Sequence, residues 1–441
     1  MNFLLIASSP YSHILPLKVL ADKLNSYDNS LIYCMSVKEN KNMITEFGMK
    51  FIEYPEGIKP VSTGRVDINE LMSKTMEFWN KGEIENGYNY FIEKDIESLY
   101  DVTYEQIEKM THIIESLKIN VIVRDAIDKF GNYIAKKLDI PIIGYITHNL
   151  YSKKFFELEP DYLYPIFLNA LIDDRLNKVP KDYFAKYRNR CEYLYDKFAQ
   201  EYGPFKIPPL HQFDPLNNLS IIFSTDYLQP KQSLYIDRQY MIIYPNITER
   251  ENEEIPEELE NFLNKYEKVI YISSGSITTQ ATKYYIDFIN ALSHGEYGIV
   301  ISAGIQNQIL RDYVIKNKFN NKVYISRWIP QRFVLNKSAL FISSGGQNSI
   351  LEAIYYKVPM LITPMSSEQR INGVIVDRLG IGYTTYNIRA KNLTTGQMIN
   401  SLLNDKNIRN KLEFLSKDYK AHKNDFSNLD KFLKAVKKNE Q

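Results

Sequence analysis

Short apolar runs alternate with longer amphipathic stretches along the 441 residues of the chain. The runs at Asn2–Ala7, Leu31–Ser36, Lys50–Tyr54, Val121–Arg124, Ile142–Ile146 and Ser220–Ser224 predict strands in the first half. Val269–Ser273, Gly298–Ser302, Val323–Ser326, Leu340–Ile342 and Met360–Thr363 predict strands in the second. Most are apolar almost throughout, which suits strands buried on both faces of a parallel sheet. Helical patterns such as Pro16–Asn25, Lys129–Leu138, Ser349–Tyr356 and Ile371–Leu379 lie between them. This alternation predicts an α/β fold.

The rhythm breaks at residues 155–212, which are aromatic, charged and helical in pattern. They read as an irregular insertion over the first domain, either a cover for an acceptor site or a packing pair of helices. Residues 227–259 collect prolines and then glutamates, the composition of a linker. The expected domains are therefore 1–226 and 260–415. A charged helix at 416–441 follows, expected to pack back on the N-terminal domain. The length exceeds one ordinary core and suits two. In two such domains, ligands are expected outside the C-terminal ends of the strands.

Composition narrows the function classes. The net charge is +1, so no long-range field favours nucleic acid or an anionic membrane. The lysine-rich C-terminal tail reads as a solvated helix end. The two cysteines, Cys34 and Cys191, build neither a metal site nor a disulfide framework, and their use fits a reducing cytosol. Cys34 sits in the apolar run 31–37 and is expected to be a small buried hydrophobe. Met1–Ala7 lack a basic flank and read as a strand rather than a signal peptide. No run approaches the roughly 20 apolar residues of a membrane span, so a cytoplasmic protein without integral membrane association is expected. Six scattered histidines and the absence of any Asp-x-Asp pair give no metal site. Aromatics make up 13% of the chain and could line a pocket for a hydrophobic or aromatic small molecule.

The most specific segment runs from Arg327 to Asn372. It holds Trp328-Ile329-Pro330-Gln331, then Ser343-Ser344-Gly345-Gly346-Gln347-Asn348-Ser349, Glu352, Val358-Pro359-Met360, Glu368-Gln369 and Asn372. Two glycines between a strand and a helix let the backbone approach a phosphate, and a helix N-terminus offers free N–H groups. An exposed Trp328 can stack on a base, and the Glu352 carboxylate can accept ribose hydroxyls. Each signal alone has an ordinary reading: a tight turn, a core tryptophan, a favourable charge near a helix start. Near the N-terminus, Ser12-His13-Ile14-Leu15-Pro16 follows the first strand, and Asp125 follows Val121–Arg124. A histidine can take a proton from a hydroxyl, and an aspartate behind the ring fixes its tautomer. Asp128 is a rival for that role that could instead cap the next helix. His148 could line an acceptor pocket or serve in a turn.

Taken together, these motifs resemble the family 1 glycosyltransferases, UDP-sugar-dependent enzymes of the GT-B fold. That fold has two Rossmann-like parallel-sheet domains facing a cleft. The family pattern W-x-P-Q, T-H-G-G-x-N-S with a following Glu, G-V-P-M and D/E-Q is met in order. G-H-x-x-P and D-x(5)-G-x-x-(I/A)-A-x-x-L-x-I-P are met around His13 and from Asp125 to Pro141, with Gly131 and Ala135 matching. The resemblance implies that Trp328 stacks on uracil, Gln331 holds the nucleoside and Glu352 binds ribose. By the same resemblance Ser344, Gly345, Gly346, Asn348 and Ser349, with Ser276 of a second loop, cradle the diphosphate. Glu368 and Gln369 would bind a glucose-type sugar. His13 would be the general base, oriented by Asp125, and the UDP-sugar a co-substrate, with no further cofactor. Five departures from the pattern stand out: Ser12 for glycine, Ser344 for the histidine that reaches a phosphate, Gln347 for an aromatic, Lys357 for a glycine, and Tyr244-Pro245 for the Gly-Pro at the linker. The reading is an inverting transferase acting on a hydroxyl of a small-molecule or lipid acceptor. A non-catalytic partner or sensor of the same fold, and a nucleotide-sugar epimerase, are the alternatives.

Overall fold

The computed structural model describes residues 1–56 except 9 and 10, scattered positions from 58 to 94, and 104–158 except 129. It also describes scattered positions from 189 to 200, and 217–439 except 218, 231–238, 248–253, 276–279 and 386–392. The chain divides into two compact units. One takes in the described residues up to Asn246 together with the stretch from Asn424, and the other spans Ile247–Lys423.

The first unit is built on seven strands: β1 (Asn2–Ile6), β2 (Leu31–Ser36), β3 (Lys50–Glu53), β4 (Val121–Asp125), β5 (Ile142–Ile146), β6 (Leu219–Phe223) and β7 (Gln239–Ile243). They pair in the order β3-β2-β1-β4-β5-β6-β7, all parallel. The second unit has β8 (Val269–Ser273), β9 (Gly298–Ser302), β10 (Val323–Ser326), β11 (Ser338–Ser343), β12 (Met360–Ile362) and β13 (Gly382–Thr384). Their order is β10-β9-β8-β11-β12-β13, again all parallel.

The apolar runs have a simple cause. Successive side chains of a strand point to opposite faces, and here both faces are covered. Phe3 and Leu5 join one cluster with Leu20, Leu24, Ile221 and Phe223. Leu4 and Ile6 join another with Met110, Ile114 and Ile134. The first cluster also receives Leu429, Leu433 and Val436. These recur at helical spacing along Ser427–Asn439, so the last helix lies on the N-terminal sheet. Asn424 fixes its approach: its side chain accepts from the Tyr244 N–H at 2.8 Å and donates to the Tyr244 carbonyl at 3.0 Å.

The strands agree with the sequence pattern to within one or two residues, with two exceptions. β7 falls inside the 227–259 stretch expected as a linker, and β13 was not anticipated. Both lie at sheet edges, where a half-covered strand needs no continuous apolar run. Nearly all of the expected 155–212 insertion lies outside the described residues.

In each sheet the winding reverses once, between β1 and β4 and between β8 and β11. The loops that leave such neighbouring strands in opposite directions open a crevice at their C-terminal ends. Ile6 stands beside Arg124 at the first of these points, and Ser273 beside Ser343 at the second.

Candidate functional site

At the first switch point, β1 leads into a single helical turn, Tyr11–Ile14, before the helix Leu17–Asn25. His13 therefore stands on a short helix rather than in an open loop. Asp125 is the last residue of β4 and is 1% exposed. Its Oδ2 lies 2.7 Å from His13 Nδ1, while its Oδ1 accepts the Ile127 N–H at 3.1 Å. Burial by itself would raise this carboxyl. The facing His13, by charge and by hydrogen bond, the Ile127 N–H and the Ser8 side chain together hold it below the usual value. With Nδ1 committed to Asp125, Nε2 is the ring atom that can take a proton from a substrate. Thr147 Oγ1 comes within 3.3 Å of the same Nδ1. His148 turns its Nδ1 to the Asn149 carbonyl at 2.9 Å.

Asp128 does not join this pair. Its carboxylate accepts the N–H groups of Phe130 at 3.1 Å and Gly131 at 2.6 Å, capping the helix Gly131–Lys137. A Cβ at Gly131 would stand 2.6 Å from Asp128 Oδ2, so only glycine lets the helix start so close to the carboxylate. Sequence reasoning missed Arg124, which is 2% exposed. Its guanidinium donates to the carbonyls of Ala126 at 2.7 Å and Asp128 at 2.9 Å and to Asn217 Oδ1 at 3.3 Å. Its Nε also lies 3.5 Å from Asp128 Oδ2, an ion pair. The available signal was an arginine at the end of an otherwise apolar strand, since a cation buried there needs partners on every side.

The second switch point repeats one device. Ser273-Ser274-Gly275 leaves β8 and Ser343-Ser344-Gly345 leaves β11. Gly275 and Gly345 both adopt φ +89°, and each donates its N–H to the first serine of its triplet. Only glycine adopts that backbone readily. A Cβ at Gly345 would also strike Ile362 Cγ2 at 2.6 Å, whereas one at Gly346 would meet open space. Gly346 then precedes the helix Gln347–Tyr355, and the N-terminus of a helix carries the partial positive charge that attracts anions.

Glu352, 5% exposed on that helix, is the hub of a polar network. Its two oxygens accept from Arg332 Nε at 2.8 Å and Gln331 Nε2 at 2.7 Å. Gln331 also reaches Ser349 Oγ at 3.2 Å. Trp328, just after β10, is 60% exposed, an indole face without a core to fill. Asn372 donates to Glu368 at 2.5 Å and to the Gly345 carbonyl at 3.0 Å, tying the helix Ser367–Leu379 to the glycine loop. Gln369 closes a capping box with Ser366, its Oε1 accepting from Met365 and Ser366.

The family model described as UDP-glucoronosyl and UDP-glucosyl transferase matches residues 2–430. The chain belongs to this family. An uncharacterized UDP-glucosyltransferase, YojK, of Bacillus subtilis (strain 168) is 23% identical over 447 residues, covering 100% of this chain and 98% of the relative. The human UDP-glucuronosyltransferase 3A2 is 23% identical over 74% of the chain and 66% of its own length. Among solved structures, the glycotransferase of kitacinnamycin superposes with TM-score 0.65 at 17% identity, over 96% of this chain and 95% of that one. The calicheamicin glycosyltransferase CalG4 gives 0.59 at 16% identity, over 95% and 94%. The architecture is therefore GT-B, two Rossmann-like α/β units, and the protein is a UDP-glycosyltransferase. Family membership selects this reading over the epimerase and the non-catalytic partner.

Against the family pattern, two positions stand differently from the sequence expectation. Ser344 replaces the family histidine, but its hydroxyl donates to the Ser274 carbonyl at 2.8 Å and is 2% exposed. Its one O–H therefore bridges the two serine–glycine loops. Lys357, where the family has glycine, keeps the left-handed backbone a glycine would favour, at φ +63°. Ser276 lies outside the described residues. Among the described residues no helix is long and apolar enough to cross a membrane.

Proposed function

We propose that this transferase moves a glucose-type sugar from UDP to a hydroxyl of a small hydrophobic or aromatic acceptor, with inversion and with His13 as general base. His13 Nε2 takes the hydroxyl proton while the oxygen attacks the anomeric carbon. The bond from that carbon to the diphosphate breaks, and UDP leaves with the electron pair. Asp125 holds the ring in the tautomer with Nε2 unprotonated and stabilises the imidazolium that forms. The observation that carries this reading is the 2.7 Å contact between His13 Nδ1 and a carboxylate 1% exposed, at the C-terminal edge of a doubly wound sheet.

On the donor side, Trp328 and Gln331 take the uracil nucleoside and Glu352 the ribose. Gly345, Gly346, Asn348 and Ser349 take the diphosphate, with Ser276 on the second loop. Glu368 and the Gln369 amide take sugar hydroxyls. The charge that builds on the leaving diphosphate meets the N-terminus of Gln347–Tyr355. Residues 1–226 are thus read as the acceptor side and 260–415 as the donor side. Cysteine usage supports a cytoplasmic enzyme.

His13→Ala tests the reading. UDP release from UDP-glucose should fall by about 10²–10⁴-fold, the usual contribution of a positioned base. UDP affinity by calorimetry should stay at the wild-type value. Unchanged turnover would remove His13 as the base.

A further inference from the structure

The base pair His13–Asp125 is backed by a buried cluster that the donor and acceptor roles leave unassigned. Arg124, Asp125 and Asp128 are 2%, 1% and 5% exposed, within five residues of chain. The guanidinium binds the two carbonyls, Ala126 and Asp128, that bracket the turn following Asp125. Asn217 holds its other end and is itself anchored to Asn132 at 3.0 Å. The turn is thus pinned from inside the protein, and Asp125 is its first residue.

We propose that Arg124 is a positioning residue for the His13–Asp125 pair: its guanidinium fixes the turn that orients Asp125, and its charge cancels Asp128, so that one net carboxylate faces the imidazole. The inference rests on the reading of His13 as the base.

The charge argument follows from the groups that face the cluster. Asp125 and Asp128 belong to β4 and its turn. Tyr145 comes from β5, Thr147 from the residue after it, Tyr54 from the end of β3, Cys34 from β2 and Ser8 from the end of β1. Burial pushes the Cys34 thiol and the Tyr54 and Tyr145 phenols up, so all three stay neutral at working pH. Burial also lowers the guanidinium of Arg124 and raises the carboxyl of Asp128, each opposed by the other's charge. Arginine keeps its proton in proteins. With the imidazole neutral the cluster carries one net negative charge, and protonation of His13 brings it to zero. Without Arg124, Asp128 loses the cation that opposes its burial, and whatever negative charge it keeps adds to that of Asp125 and favours the imidazolium over the neutral base.

The test is the titration of the His13 ring by NMR in full-length, histidine-labelled protein, with His13→Ala identifying the signal. Removing a positive neighbour favours the imidazolium, so Arg124→Met should raise the His13 midpoint by about one pH unit. Asp128→Asn keeps a capping side chain but removes a negative neighbour, so it should lower the midpoint. Arg124→Lys keeps the charge without the planar fork. It should leave the midpoint near wild type yet reduce UDP release from UDP-glucose on the order of tenfold to a hundredfold, as loosened orientation does. Midpoints that do not move in opposite directions would overturn the inference, since a packing role alone lowers stability without that sign reversal. If Arg124→Met does not fold, Asp128→Asn decides by itself: a lowered midpoint supports the inference and an unmoved one overturns it. Loss of the base role in the His13→Ala turnover assay is a separate result, because the midpoints are read without turnover.

Discussion

Replacing Asp125 by asparagine tests the base pair with almost no change of volume. The imidazolium of the transition state forms against a carboxylate oxygen 2.7 Å from Nδ1. Taking about 4 Å between charge centres and an effective dielectric near 20, the attraction is about 4 kcal/mol. Counted instead as one charge-assisted hydrogen bond it is about 1.5–3 kcal/mol. These describe the same interaction and are not added. A loss of about 2–4 kcal/mol corresponds to about 30- to 1000-fold in kcat. The geometry favours the upper end. Asp125 Oδ1 accepts the Ile127 N–H, so the asparagine oxygen takes that place and its NH₂ turns to His13. Nδ1 must then accept, the proton moves to Nε2, and the ring is in the wrong tautomer for a base. The assay is steady-state UDP release, with UDP binding by calorimetry as the control. The same substitution has a signature in stability. The native Asp125 carboxyl is held below its ordinary value, so it adds stability above the unfolded value of about 3.9, lost as pH falls through the native one. The acid side of the stability curve should therefore flatten in the variant. A kcat loss below about tenfold, or about 1.4 kcal/mol, would refute the assignment of Asp125 as the orienting carboxylate.

Gly131→Ala brings a Cβ within 2.6 Å of Asp128 Oδ2 and 3.1 Å of Arg124 Cβ, an overpacking worth about 1–3 kcal/mol. Denaturant unfolding should show it, and an unchanged midpoint would mean the turn can yield. Lys357→Gly relieves a left-handed backbone of φ +63°, worth about 1–2 kcal/mol, partly offset by glycine's larger unfolded-state entropy. The exposed Lys357–Glu413 contact it removes contributes little, so the melting temperature should rise, and a fall would contradict the account. Glu352→Gln leaves the buried Arg332 uncompensated, a loss of about 3–5 kcal/mol, and weakens UDP binding. Adding Arg332→Met should recover stability but not UDP affinity, and recovery of both would remove Glu352 from the nucleotide site.

The legible part of the molecule was what depends on the covered faces of a sheet. A strand buried on both sides must be apolar at every position, so β1, β4, β5 and β8 stand out as runs. The edge strands β7 and β13 are short, open on Gln239 and Gly382, are only partly buried, and do not. The site was legible where a single backbone requirement fixes the residue, as at Gly345. His13 and Asp125 could be paired in advance only through the family resemblance, because 112 residues separate them and strand adjacency brings them together. Arg124, Arg332 and Ser274 were not singled out. Their roles depend on which partner lies across a turn or on the next strand, and periodicity carries no such information. Ser344 shows the limit of reading by substitution. The sequence says that a hydroxyl stands where an imidazole is usual, and only the neighbouring strand shows that the hydroxyl is already bonded to Ser274.

The two switch points divide the electrostatic work of the proposed reaction by what each loop is made of. Transfer creates a cation on the base and an anion on the leaving group. The loops after β1 and β4 bring together buried carboxylates with one guanidinium, and their surplus negative charge favours the imidazolium. The loops after β8 and β11 carry no acidic side chain among their described residues. They offer left-handed glycines and a helix N-terminus, whose N–H groups favour an anion without a mobile side chain to order. Substituting Ser344 for the family histidine removes a titratable group from this second site, so its affinity for a diphosphate should not change with the ionisation of an imidazole there. Across the pH range in which an imidazole titrates, the pH dependence of the enzyme then belongs to the first site, and a His13 variant should lose the acidic limb of the rate profile there.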